Sequence, residues 1–379
     1  MRLKHTALLT GPYDWDPALV PLQEYETRLA AVGRLLAESS ASGLIVHGDS
    51  WEYGALAYLT GFVPKLGPAF ALVGRDTSVR LHVSGSPPML AAAKRLTWQQ
   101  DVRPVSDLRA SIRDWMREVL LSESLQIGLW GGGALALRPY LAIKAAIEPR
   151  GKIVDLEGSL EALRLRKSPW EQELLGQASR ILDRATKAMS CAALAGAGSR
   201  SAALAAERQA FAAGAQDVRI LASARNGGPP LAFEGPSDLV ADPLLAYLAV
   251  RFAGYWADAF ITVSSSPPKA LAHAQDALDT MLQNARPGVT FSRLASIGEP
   301  CLAPYKVHPL AGHPVGNSIG LSIEEPCQAI AAEGAMLQAG GVYSLRYGAI
   351  GEASDNAMVS ALIVVRPKKT EVLWSALGE

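Results

Sequence analysis

The sequence predicts a two-domain chain: a small α/β domain over residues 1–157, then a larger domain of mixed helices and strands over 158–379. Three observations carry this. Helix-like and strand-like patterns alternate from residue 23 to 150. A strong helix start stands at Ser168, just past a junction over 155–166. A chain of 379 residues is also long enough to build two cores.

The elements follow in order. Tyr25 to Leu36 is amphipathic, with Leu29, Val32, Leu35 and Leu36 at helical spacing. Gly43-Leu-Ile-Val-His47 reads as a buried strand. Phe70 to Val83 holds two apolar runs split by Gly74-Arg-Asp-Thr, a hairpin signal. Helices are expected over 108–121 and 140–147, with the apolar strand Gln126-Ile-Gly-Leu-Trp130 between them. In the second domain, Ser168-Pro-Trp-Glu171 combines an N-cap, a first-turn proline and a capping-box glutamate. Leu174, Leu175, Ala178, Ile181, Leu182 and Ala185 then form one helical face. Further helices are expected over 202–213, 268–285 and 291–303, and strands over 218–223, 244–252 and 254–263.

Composition narrows the function classes. Thirty-six basic residues balance thirty-six acidic ones, so no net field recruits nucleic acid or an anionic membrane. No apolar run approaches the ~20 residues of a spanning helix. Ala7-Leu-Leu9 before Gly11-Pro12 is too short for a signal peptide. Three widely spaced cysteines, Cys191, Cys301 and Cys327, fit a reducing compartment and cannot supply a four-cysteine zinc site. A cytoplasmic location is expected. There is no Walker loop and no dinucleotide glycine fingerprint. Gly316-Asn-Ser-Ile-Gly320 has the spacing of a nucleophile elbow, but no histidine follows Ser318 to complete a triad.

The most informative stretch is His313-Pro-Val-Gly-Asn317-Ser-Ile-Gly-Leu-Ser-Ile-Glu324-Glu325-Pro326. It resembles the metal-binding signature of the creatinase, prolidase and aminopeptidase P family with its ligands replaced. Gly316, Ile319, Gly320, Leu321, Glu325 and Pro326 keep the frame, while Asn317 stands at the metal His and Glu324 at the catalytic His. Tyr58-Leu-Thr-Gly-Phe62, the Arg164, Lys167-Ser168 and Glu171 spacing, Gly254-Tyr255 with Asp258, and Pro287-Gly-Val289 match the same family in order. The resemblance implies a pita-bread (α+β) catalytic domain behind the α/β domain. It also implies a homodimer, with a partner's N-terminal domain near Phe62 reaching over each pocket.

Carried over residue by residue, the family's first metal Asp falls on Tyr247 and the second on Asp258. The Glu of its Glu-Pro-Gly turn falls on Arg346 and its last Glu on Asp355, while another family His falls near Leu231. Arg cannot coordinate a metal and stays cationic. No catalytic metal and no other cofactor are therefore expected. Glu324 and His313 are the candidate acid/base residues. Arg346, Asp258, Asp355, Tyr247, Asn317, Trp256, Tyr347 and Phe62 are the candidate substrate-binding residues, with Arg346 also expected to pair with Asp258 or Asp355. The expectation is a metal-independent enzyme acting on a small polar or amino-acid-like molecule at a C–N or related bond. A catalytically inactive binding or assembly module and an Xaa-Pro metallopeptidase are the alternatives.

Overall fold

The computed structural model describes residues 15–65, 67–119, 124–233, 237–312, 314–325, 335–352 and 354–377. The chain forms two units, Met1–Arg164 and Leu165–Glu379.

In the first unit, β1 (Gly43–Gly48), β2 (Ala69–Gly74), β3 (Val79–Val83), β4 (Val102–Pro104), β5 (Leu125–Trp130) and β6 (Gly151–Asp155) form one mixed sheet. Its order is β4-β3-β2-β1-β5-β6. Strand β1 is buried at every position, which explains why it reads as an unbroken apolar run rather than an alternating one. The expected hairpin is present as the antiparallel pair β2–β3. Helices α1 (Leu22–Glu38), α2 (Gly54–Thr60), α3 (Pro87–Ala93), α4 (Leu108–Val119), α5 (Leu137–Ile147) and α6 (Glu157–Leu165) fill the connections. From α4 and α5, Ile112, Trp115, Ile143 and Ile147 pack against Ile45, Leu72 and Ile127 of the sheet.

The second unit opens with α7 (Pro169–Leu194), started by the expected capping box. The Glu171 amide donates to Ser168 Oγ, and the Ser168 amide donates to the Glu171 carboxylate. Helix α8 (Ser199–Ala212) packs along α7. Strands β7 (Asp217–Ala222), β8 (Leu244–Phe252) and β9 (Tyr255–Val263) form a three-stranded antiparallel sheet. Ala253 and Gly254 join β8 to β9 with φ of 48° and 87°. Two successive left-handed residues are what a tight type I′ hairpin needs, and Gly254 takes its share without strain.

Helices α9 (Lys269–Asn284) and α10 (Phe291–Gly298) follow. The helix expected over 291–303 stops being α-helical at Gly298 and tightens into a 3₁₀ turn over Glu299–Leu302. Pro300 there has no N–H with which to continue the ladder. The remaining strands are β10 (Lys306–Val307), β11 (Gly316–Ser318), β12 (Val342–Ile350), β13 (Asn356–Val365) and β14 (Thr370–Ser375). They form a second sheet in the order β10-β12-β13-β14, with β11 also paired to β12.

Alternation along β12 positions the chemistry. Tyr343, Leu345, Tyr347 and Ala349 enter an apolar core with Ala274, Leu278 and Met281 of α9. Successive strand residues point to opposite faces, so Ser344 and Arg346 are turned the other way. No helix among the described residues is long and apolar enough to cross a membrane.

Candidate active site

Two antiparallel hairpins build the site. On β8–β9, Ala249 stands opposite Asp258 and Tyr247 opposite Phe260, so all four share one face. The Tyr247 hydroxyl donates to Asp258 Oδ2 at 3.3 Å. On β12–β13, Arg346 stands opposite Ser360, and across β11–β12 Asn317 stands opposite Ser344. The Phe260 amide donates to Ser360 Oγ at 2.7 Å, tying the two hairpins together.

Arg346 is the centre of this face. It is only 7% exposed. Its Nη1 donates to Asn317 Oδ1 at 2.6 Å, and its Nη2 lies 3.8 Å from Glu324 Oε1. The guanidinium also sits 5.8 Å from the centre of the Phe260 ring. Asn317 is held in turn by donating Nδ2 to the Ile323 carbonyl at 2.8 Å.

The segment from Ile319 to Glu325 is fastened from beneath. The Glu325 amide donates to the Ser318 carbonyl, and Glu325 Oε1 lies 3.8 Å from Lys167 Nζ, with both side chains almost fully buried. A Cβ on Gly320 would come within 2.5 Å of Glu325 Oε1 and 3.0 Å of Lys167 Nζ. A side chain at Gly320 would have to displace one of these two buried charged groups.

Electrostatics follow from burial. Asp258 is 1% exposed, and burial pushes its carboxyl up, opposed by Ser344, the Arg346 guanidinium and Tyr247. Burial, reinforced by Asp258, likewise drives the Tyr247 phenol well above its ordinary value. The Ser344 hydroxyl lies close enough to Asp258 to favour its carboxylate form.

The structure thus brings together Tyr247, Asp258, Asn317 and Arg346, with Glu324 beside Arg346. Glu324 is 69% exposed, in contrast with the partly desolvated position its place in the signature implies. His313 lies outside the described residues, as does Pro326. Asp355 is elsewhere: its Oδ1 accepts the Ala270 amide at 2.9 Å and its Oδ2 the Tyr305 hydroxyl at 2.7 Å. The residue opposite Arg346 is Ser360, because the hairpin register pairs Ile350 with Asn356. Among the described residues Arg346 has its ion pair with Glu324, and neither Asp258 nor Asp355 is its salt-bridge partner.

Tyr347 points into the core and its hydroxyl donates to the Ala295 carbonyl at 3.3 Å. Trp256 is buried near the β8–β9 turn beneath Arg219 and Arg251, whose guanidinium carbons lie 4.6 and 5.4 Å from its ring centre. Phe62 is buried in the first unit. Leu231 is 58% exposed. Sequence reasoning missed Ser344, Phe260 and Ser360. The first two are readable as the i−2 neighbour of Arg346 and the i+2 neighbour of Asp258.

These residues do not fit a divalent metal. Such ions are held by several anionic oxygens with imidazole, whereas Asp258 here shares its face with a guanidinium, an amide and hydroxyls. No group of three His, Cys, Asp or Glu set to hold a metal occurs among the described residues.

A separate α/β domain followed by two sheets meeting at this centre defines the pita-bread class. The model of metallopeptidase family M24 matches residues 173–367, just over half of the chain, and the chain belongs to that family. Among solved structures it is similar to the X-Pro aminopeptidase from Thermotoga maritima MSB8, with 20% identity and a TM-score of 0.74, covering 91% of this chain and 96% of that one. The Xaa-Pro dipeptidase from Bacillus anthracis matches with 16% identity and a TM-score of 0.72, over 92% and 97%. The prolidase from Pyrococcus horikoshii OT3 gives 17% and 0.72, over 93% and 99%. No curated protein sequence matches the chain.

Proposed function

We propose that this chain is a metal-independent member of the family, an enzyme that uses acid/base chemistry on a C–N or related bond of a small polar or amino-acid-like substrate. The observation that supports it most is the Arg346 guanidinium, fixed on Asn317 beside the buried Asp258. A built-in cation takes the place of metal charge, and the surrounding groups remain polar and chargeable rather than apolar and plugging. Arg346 orients the substrate by its N–H groups, Asp258 and Tyr247 line the floor, and Glu324 exchanges a proton at the mouth. His313 is the second candidate for that exchange.

Elemental analysis of the purified protein tests this. The expected result is no stoichiometric transition metal and an unchanged melting temperature after chelation. One or two metals per chain with Asp258 as a ligand would restore the Xaa-Pro metallopeptidase reading suggested by the names of the neighbours. The exposure of Glu324 favours a second reading, an inactive pseudo-peptidase retained for binding or assembly. Turnover of any substrate by the metal-free protein rules that out. The family resemblance further supports a homodimer, which sedimentation at micromolar concentration checks, and the balanced charge and sparse cysteines support a cytoplasmic protein without a nucleic-acid or membrane partner.

A further inference from the structure

Among the described residues, Arg346 Nε has no hydrogen-bond partner, and Asp258 Oδ1 and Ser344 Oγ, buried with it, have none of good geometry, although Ser344 lies close enough to Asp258 to favour its carboxylate. Their residues are 7%, 1% and 0% exposed, so solvent does not readily serve them. Ser344 and Arg346 are two apart on one face of β12, and Ser344 faces Asp258 from the other sheet. Buried polar groups are almost always satisfied, and three adjoining exceptions mark a place where a partner belongs.

The chemistry of the three atoms specifies that partner. Arg346 spends Nη1 on Asn317 and turns Nη2 toward Glu324, leaving Nε–H, which only donates. Asp258 already accepts the Tyr247 hydroxyl on Oδ2, and in the carboxylate form, which Ser344, Arg346 and Tyr247 favour against burial, its Oδ1 only accepts. Ser344 does either. The complementary ligand therefore presents an acceptor and an N–H side by side. A free carboxylate offers two acceptors and would confront Asp258. An X–Pro bond has a carbonyl but no N–H.

Building on the metal-free reading above, we propose that this centre binds a planar C(=O)–NH edge, as in a primary amide, a ureide or a lactam. The carbonyl oxygen accepts from Arg346 Nε, the N–H donates to Asp258 Oδ1, and the Ser344 hydroxyl bridges them.

Calorimetric titration near neutral pH, on protein whose metal content has been measured, tests the assignment. The probes are N-carbamoylglycine (a ureide), 2-pyrrolidinone (a lactam), succinate (carboxylates only) and glycyl-proline (a peptide bond without N–H). The first two are expected to bind at least about tenfold more tightly than the last two, and Ser344→Ala and Arg346→Lys to weaken them by about tenfold or more. If Arg346→Lys does not fold, Ser344→Ala alone decides, since it removes one small hydroxyl. Succinate binding as well as the ureide, or binding indifferent to Ser344→Ala, overturns the assignment. So does the absence of heat from every probe, which would leave the three atoms served by an internal water only. Any of these with metal-free protein leaves the metal-independent reading standing. Stoichiometric metal overturns both.

Discussion

Arg346 Nη1 is bound to Asn317 Oδ1 at 2.6 Å, diagonally across the β11–β12 ladder, and not to the buried carboxylate of Asp258. The guanidinium is therefore held by a neutral acceptor, and its field reaches Asp258 without an ion pair. An arrangement of this kind keeps both groups polar and separately addressable.

Removing that acceptor should expose its worth. Asn317→Ala leaves a buried guanidinium N–H without a partner, a change that costs on the order of 2 kcal/mol. Chemical denaturation should show that loss in stability. Adding Arg346→Met to Asn317→Ala should cost less than the two single changes summed, because the donor left stranded is then gone. Strict additivity would mean that the 2.6 Å contact contributes nothing.

Glu324→Gln keeps shape and hydrogen bonding while removing the titratable group. General acid–base assistance is typically worth ~100- to 10,000-fold, and a fall in turnover of that size is expected with an unchanged melting curve. Full turnover by Glu324→Gln would pass the role to His313, with His313→Ala as the next test.

The register of the β12–β13 hairpin makes its own prediction. A variant carrying Tyr247→Asp, Asn317→His, Arg346→Glu and Ser360→Glu should gain affinity for Mn²⁺ in equilibrium dialysis. Omitting Ser360→Glu should weaken that affinity markedly, since residue 360 and not residue 355 stands opposite 346. Equal affinity with and without Ser360→Glu would contradict the pairing as a functional one.

Stability should fall on mild acidification. Burial depresses His82 and His308 from 6.5 to about 4. Above about 6.5 both are neutral whether folded or unfolded. As pH drops toward about 4 the unfolded chain takes up protons that the folded chain refuses. Each histidine then removes up to about 1.4 kcal/mol per pH unit, approaching about 3 kcal/mol apiece. Melting temperature followed from neutral pH downward should decline, and His82→Gln should flatten the slope. A profile unaffected by that substitution would show that His82 is not a source of the loss.

Much of this molecule is legible in its sequence. The Ser168–Glu171 capping box, the buried β1 run and the β2–β3 hairpin after Gly74 are local features, set by residues within a few positions of one another. The position opposite Arg346 is not local. It depends on where the β12–β13 turn ends, and counting along the chain puts Asp355 five residues short of Ser360. Tyr347 is a different case, since alternation alone places it on the face away from Arg346. The exposure of Glu324 and the tie between Asn317 and Ile323 arise only when the 319–325 segment closes over Lys167.

Asp355, displaced from the site, binds the first residues of α9 to the turn between β12 and β13 through the Ala270 amide, with Tyr305 gripping its other oxygen. Ala270 belongs to a helix by sequence, yet its amide proton is guarded by a strand connection. In hydrogen exchange it should open together with that hairpin rather than fray with the end of its own helix. The start of α9 and the strand bearing Arg346 would then belong to one cooperative unit of local unfolding.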